Sequence, residues 1–385
     1  MQPSSFLTAV QQGDVSTVER YLHEGADPNF QDASGRTALH YAVESRNAQM
    51  AACLLIYRAN YRIVDNDGVA PLDSRFVPIE LLHNIRQRYQ RFHRNGNNGT
   101  EPIADDVRSY SEELDRRGLV KLSGLIPDDT LAQMRRDFQK FILELSVRIA
   151  RGSGVYKHYD EELHWRAEDL AYVTNNAFKY SRALVRLCCH PTISGVANRY
   201  LGRPAYIQRG VAMRYLPADG IERDMFGWHH DIEEQRCKMM ILLTDVAETD
   251  QFMSYIAGSH KLYHPYEMFH ENTCSPDYCQ QHLGVIEILK TTGKAGDIFL
   301  FDSNGAHRGN RSSKAAVRDA FFIEYTVDKS GTWGGDIDPQ VFEGIALNGP
   351  NPFERMLTSE KRWTQSLTRL ETDWVLNLPR VESWI

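Results

Sequence analysis

The chain's 385 residues are 42% hydrophobic and 25% charged, a globular composition with enough length for two domains. A formal net charge of −7 argues against nucleic acid or an anionic membrane as partner, because either rewards a basic face. No apolar run approaches the ~20 residues that cross a bilayer. Residues 1–14 lack the basic-then-apolar order of a signal peptide, and the six cysteines are scattered, so a cytoplasmic chain with reduced thiols is expected.

Self-similarity comes first along the chain. Ala26 recurs as Ala59, Asp32 as Asp65, Gly35 as Gly68 and Leu39 as Leu72, a period of 33; one step back, Ala42 and Val43 fall on Ala9 and Val10. With Thr37-Ala38-Leu39-His40-Tyr41-Ala42 this resembles the ankyrin repeat. Residues 1–92 are expected to hold two clear units and a degenerate third, which serve either as a protein-binding surface or as a cap on the larger domain.

A polar Asn/Gly stretch makes residues 93–104 a linker. Beyond it, residues 112–117 look helical, Leu119-Val120-Lys121-Leu122 looks like a strand, and residues 127–149 form an amphipathic helix with acids at its start. Residues 156–180, rich in Tyr, His and Asn, suggest a helical lid over a site. From about Ala205 the texture turns to strands and turns. Asn351-Pro352-Phe353-Glu354 has the form of a helix start. The stripe that follows, Met356, Leu357, Trp363, Leu367, Leu370 and Trp374, predicts a C-terminal helical extension over 336–385, packed on the core or on a second copy in a homodimer.

The chemistry gathers at Phe226-Gly227-Trp228-His229-His230-Asp231. On a strand, residues i and i+2 share a face, so His229 and Asp231 can converge, whereas His230 would be paired with Ile232, which cannot ligate. A third ligand, His307, follows the strand 297–301 and the turn Ser303-Asn304-Gly305. Two histidines and one carboxylate form the facial triad of non-haem Fe(II) oxygenases, with positions left open for co-substrate and O₂. His-x-Asp alone is weak among 14 histidines; the downstream residues give it weight. If residues 307–318 form a hairpin centred on Ser312 and Ser313, Arg318 stands opposite His307, with Cβ atoms about 4.5–5.5 Å apart. Its guanidinium would then offer a bidentate fork to the far carboxylate of 2-oxoglutarate.

Together these residues resemble the phytanoyl-CoA dioxygenase family, and within it the ectoine hydroxylases. The resemblance covers roughly residues 105–330. It is carried by Gly227-Trp228-His229-His230-Asp231, Leu242-Leu243-Thr244-Asp245, Gly258-Ser259-His260-Lys261, Gly296-Asp297-Ile298-Phe299-Leu300-Phe301-Asp302, and His307 followed eleven residues later by Arg318. Asp250-Gln251 and Ala257 depart from the family pattern, in a loop. The resemblance implies an α+β protein whose core, residues 105–335, is a double-stranded β-helix (a jelly-roll or cupin-like barrel) with flanking helices, preceded by the helical ankyrin segment. It implies iron held by His229, Asp231 and His307, 2-oxoglutarate held by Arg318, and O₂ as the second co-substrate. The expected reaction is hydroxylation of an unactivated C–H of a small, amino-acid-like or natural-product molecule. Desaturation, cyclisation, attack on a protein side chain, or a non-catalytic ankyrin adaptor are the alternatives. Asp231 speaks against halogenation, which needs a small residue there. Trp228, Lys238, Tyr325 and Trp333 are candidate substrate contacts. His270, Cys274, Cys279 and His282 are a weaker candidate for zinc, since their spacing matches no common motif.

Overall fold

The computed structural model describes residues 3–73, 75–95, 104–151, 163–166, 171–217, 225–231, 236–262, 274–310, 316–327, 337, 339–345 and 351–353. The N-terminal segment is helical: α1 (Pro3–Gln11), α2 (Val15–His23), α3 (Ala38–Glu44), α4 (Ala48–Ile56) and α5 (Ile79–Asn95). Its period has a local cause. Asp14 and Asn47, one repeat apart, cap α2 and α4 by accepting from Thr17 N (3.1 Å) and Met50 N (3.0 Å). Asp32 and Asp65, again one repeat apart, each accept two backbone N–H groups of their own turn. His40 explains the Thr-Ala-Leu-His motif: its ring bonds Thr37 on one side and the Val69 carbonyl of the next unit on the other.

In the third unit residues 71–72 and 75–76 form turns where a first helix would stand, and the single helix α5 continues through Asn95, past the expected start of the linker. Residues 96–103 lie outside the described residues.

The larger body follows with α6 (Asp105–Arg117), β1 (Leu119–Leu122), α7 (Asp128–Ala150), β2 (Leu163–Arg166), β3 (Ala171–Thr174), α8 (Arg182–Cys188), α9 (Pro191–Leu201) and β4 (Tyr206–Tyr215). It continues with β5 (Met225–His229), β6 (Arg236–Leu242), β7 (Met253–Ile256), α10 (Pro276–Leu283), β8 (Ile288–Lys290), β9 (Ile298–Phe301), β10 (His307–Gly309) and β11 (Arg318–Thr326). A seven-stranded sheet runs β1-β9-β6-β11-β4-β3-β2, and a four-stranded sheet runs β5-β10-β7-β8. This is the double-stranded β-helix expected from the resemblance.

Strand alternation sorts the large sheet's two faces. Met239, Ile241, Ile298, Leu300, Phe321 and Ile323 bury against the helices, where Phe138 of α7 meets Phe321 edge-on at 5.5 Å. Their alternates Met240, Leu242, Phe299, Phe301 and Ala320 face Met253 and Tyr255 of the small sheet. The site lies between the sheets.

Three expectations are corrected here. Residues 163–166 and 171–174 of the expected helical lid are strands, because Ala171 and Val173 bury against Val211 and Met213 of the neighbouring β4 and extend the sheet. His307 and Arg318 are not hairpin partners. His307 pairs with His229 and Tyr255 in the small sheet, whereas Arg318 pairs with Tyr215 in the large one, so the two residues stand on different sheets. The cysteines of the zinc candidate are apolar core: Cys274 and Cys279 bury with Ile256, Leu262 and Ala306, and burial pushes the Cys279 thiol up to about 12. His282 meanwhile packs on His83 and Tyr278, and His270 lies outside the described residues. All six cysteines are free thiols.

Asn351 accepts from Phe353 N at 2.9 Å, as an N-cap would, and Phe353 is buried against Phe178 and Phe342. The remaining stripe, from Met356, is outside the described residues.

Candidate active site

His229 ends β5 and faces His307 on β10, their ring centroids 4.4 Å apart. Gly227, at φ +62°, is where β5 bulges against β10; its left-handed conformation is one that residues with a Cβ adopt only with strain. Asp231, just past the strand, is fixed by its own N–H donating to the Ser303 carbonyl at 2.8 Å. One potential ligand atom from each of His229, Asp231 and His307 lies within 4.8 Å of the others, and among the described residues no other group of His, Cys, Asp or Glu converges this way.

The histidines are oriented for ligation. His229 Nδ1 lies 3.1 Å from the Gly227 carbonyl and His307 Nδ1 2.8 Å from the Gly305 carbonyl. A carbonyl only accepts, so each Nδ1 carries the hydrogen and each Nε2 carries the lone pair, the arrangement expected of a metal ligand and its outer partner. Burial keeps both rings neutral: it lowers His229, and with the neighbouring His229 it takes His307 down to about 3. Burial opposes the charge of Asp231, but the Lys238 ammonium beside it does most to outweigh this and holds the carboxyl well below its usual range. Two neutral imidazoles and one carboxylate fit Fe(II) with open positions.

One buried turn, residues 302–306, serves two of the three groups: Ser303 O holds Asp231 and Gly305 O holds His307. The turn is itself pinned. Asp302 Oδ1 accepts from Asn304 N (2.9 Å) and Nδ2 (2.7 Å), and Tyr255 Oη donates to the Asp302 carbonyl at 2.9 Å. Ser259 Oγ donates to Ile256 O and accepts from Ala306 N at 2.8 Å. Tyr255 also lies nearly parallel to the His307 ring, and a Cβ on Gly305 would run into its hydroxyl. The Gly-Ser-His and Phe-Asp stretches noted in the sequence thus support the triad.

Arg318 reaches the same interior by another route than the hairpin. It shares a face of β11 with Ala320, which packs between the sheets. Only 4% exposed, it stacks over Tyr215 at 4.2 Å and donates from Nη1 to Gln251 O at 2.6 Å. Its Nε has no hydrogen-bond partner, and no described carboxylate pairs with it. Burial lowers its pKa, yet a guanidinium stays charged near neutrality. A buried cation with an unsatisfied donor fits the carboxylate of a co-substrate. The Asp250-Gln251 departure therefore touches the site at Arg318, through Gln251's backbone.

Of the substrate candidates, Lys238 lies in the site: its Nζ is 2.6 Å from Asp231 and 3.3 Å from Glu324. Tyr325 does not, because it alternates with Glu324 and is buried with the helices. Trp228, adjacent to His229, faces the outer side of the small sheet, packed with the Cys274–Cys279 cluster and under Arg308. Trp333 lies outside the described residues. Glu324, which pairs with Lys238 and Arg236, was missed. Its signal was an acid set among Phe321, Phe322, Ile323 and Tyr325.

The family model for phytanoyl-CoA dioxygenase matches residues 114–320, just over half of the 385. The chain belongs to the phytanoyl-CoA dioxygenase family. This family works with Fe(II), 2-oxoglutarate and O₂. An ankyrin-repeat model matches residues 6–74. The ectoine dioxygenase of Nocardia farcinica (strain IFM 10152) is 22% identical over 276 residues, 63% of this chain and 83% of its own length. Among solved structures, EctD from S. alaskensis with 2-oxoglutarate and 5-hydroxyectoine aligns at 19% identity and a TM-score of 0.47, over 68% of this chain and 92% of that one. At the N-terminus the putative ankyrin repeat protein L92 of Acanthamoeba polyphaga mimivirus is 46% identical over 52 residues, 14% of this chain and 13% of its own. The chain spans only 10–13% of the length of this and two further curated relatives.

Proposed function

We propose that this family member is an Fe(II)- and 2-oxoglutarate-dependent dioxygenase that hydroxylates an unactivated C–H bond of a small, amino-acid-like or natural-product molecule. The observation that carries it is two Nδ1-tethered imidazoles and one carboxylate converging within 4.8 Å in a buried site, with the charged Arg318 on the same interior. Iron with 2-oxoglutarate and O₂ would supply the oxidation, with release of succinate and CO₂. The chain's own residues bind and orient. His229, Asp231 and His307 hold the metal, and Arg318 takes the far carboxylate of the co-substrate. Phe299, Phe301, Met240 and Tyr255 keep the surroundings dry, which strengthens each charge interaction there.

Purified protein given Fe(II) should consume 2-oxoglutarate slowly without any substrate, and His307→Ala should abolish this. Equal succinate from both proteins would sink the proposal. Screening small molecules for stimulated succinate release then narrows the substrate. Among the described residues no helix is long and apolar enough to cross a membrane. The ankyrin segment serves this reading as a cap, since α5 packs on α9 and on the Ser259–Lys261 turn that supports the triad.

A further inference from the structure

We infer that Lys238 is a positioning residue for the metal-ligating carboxylate: anchored by Glu324, it holds one oxygen of Asp231 and leaves the other for the ion. This rests on the metal-centre reading above. Lys238 lies on β6 between Phe301 of β9 and Glu324 of β11, on the face that continues as Met240 and Leu242. An ammonium in such a row is costly unless carboxylates compensate it. Two do: Asp231 Oδ2 at 2.6 Å and Glu324 Oε1 at 3.3 Å. Glu324 is in turn held by Arg236 at 3.5 Å. These contacts chain the carboxylate of Asp231, which follows a strand end, to the middle of the large sheet.

The consequence is geometric. A carboxylate free to rotate can give both oxygens to a metal and so cover a position that co-substrate or O₂ needs. An ion pair between Lys238 and one oxygen opposes that rotation and so favours single-oxygen ligation by Asp231.

The test is a titration of the metal-free full chain with Co²⁺, whose visible absorption intensity reports coordination number. Thermal melts run alongside. Wild type should bind Co²⁺ and His307→Ala should not. Lys238→Met should bind on the order of 10–100-fold more weakly, as is typical when a ligand's outer partner is lost, and its absorption intensity should change. Lys238→Arg should restore both. A mere neighbouring charge predicts the opposite sign, since removing a cation beside a dication tightens binding. Wild-type or tighter affinity with an unchanged spectrum in Lys238→Met therefore overturns the inference while leaving the metal centre standing. Equal Co²⁺ affinity of wild type and His307→Ala overturns both. If Lys238→Met does not fold, Lys238→Met/Glu324→Gln, which removes both charges together, is read by the same outcomes.

Discussion

Arg318 and Gly305 show how single residues would set the chemistry. Arg318 donates to one backbone carbonyl and lies over Tyr215, while its Nε has no partner and no described carboxylate neutralises it, which suits an anion. Arg318→Leu should leave metal affinity intact and weaken 2-oxoglutarate binding by about 2–5 kcal/mol, roughly 30-fold or more. Isothermal titration of the metal-loaded protein checks this, and an unchanged dissociation constant would count against the role of Arg318. Gly305 is different, because its contribution is the absence of a side chain. A methyl there would push on Tyr255 Oη, which pins the Asp302 carbonyl, while the Gly305 carbonyl orients His307. Gly305→Ala should therefore lower metal affinity on the order of 10–100-fold without touching a ligand, as read by metal titration; unaltered affinity would show that the turn has slack.

Elements divide into those fixed by local pattern and those fixed by neighbours. β1 lies where its short apolar run puts it, and α7 lies where helical periodicity puts it, because the helix buries one clean face. β2 and β3 depart from the expected helical lid since their strand character comes from β3 pairing with β4 and β2 with β3, which no local pattern in a Tyr/His/Asn-rich stretch reports. β10 and β11 are the sharper case. Each is paired on both sides by strands far away in sequence, and those partners outcompete the local hairpin. The outer face of the large sheet is packing alone. Phe138→Ala should cost about 3–5 kcal/mol in denaturant unfolding. Substrate-free turnover per folded molecule should stay the same, because Phe138 meets Phe321 on the face turned away from the metal. A turnover loss that exceeds the unfolded fraction would break that separation.

At the scale of the molecule, the two hydrophobic cores are separate, and α5 is where the repeat segment meets the larger body. The contact is polar and buried. His83 meets His282 edge-on at 4.8 Å, and burial, with His282 nearby, takes His83 down to about 3. A buried histidine held neutral, as His83 is, suits a permanent junction better than a surface awaiting a partner. Deleting residues 1–95 should therefore leave a body that aggregates or melts lower, with diminished substrate-free turnover. If it stays soluble and as active as the full chain, the repeats are an adaptor and not a cap.

The period of 33, the family motifs and the shared neighbourhood of the candidate ligands His229 and Asp231 were legible in the sequence, because each depends on spacing within one repeat or one short motif. The tertiary structure decided what depends on proximity between distant segments. It set apart His307 and Arg318 onto facing sheets, turned Tyr325 and Trp228 away from the site, and brought Lys238 and Glu324 to Asp231. A side-chain period of two says which residues share a face, but not which other strand that face will meet.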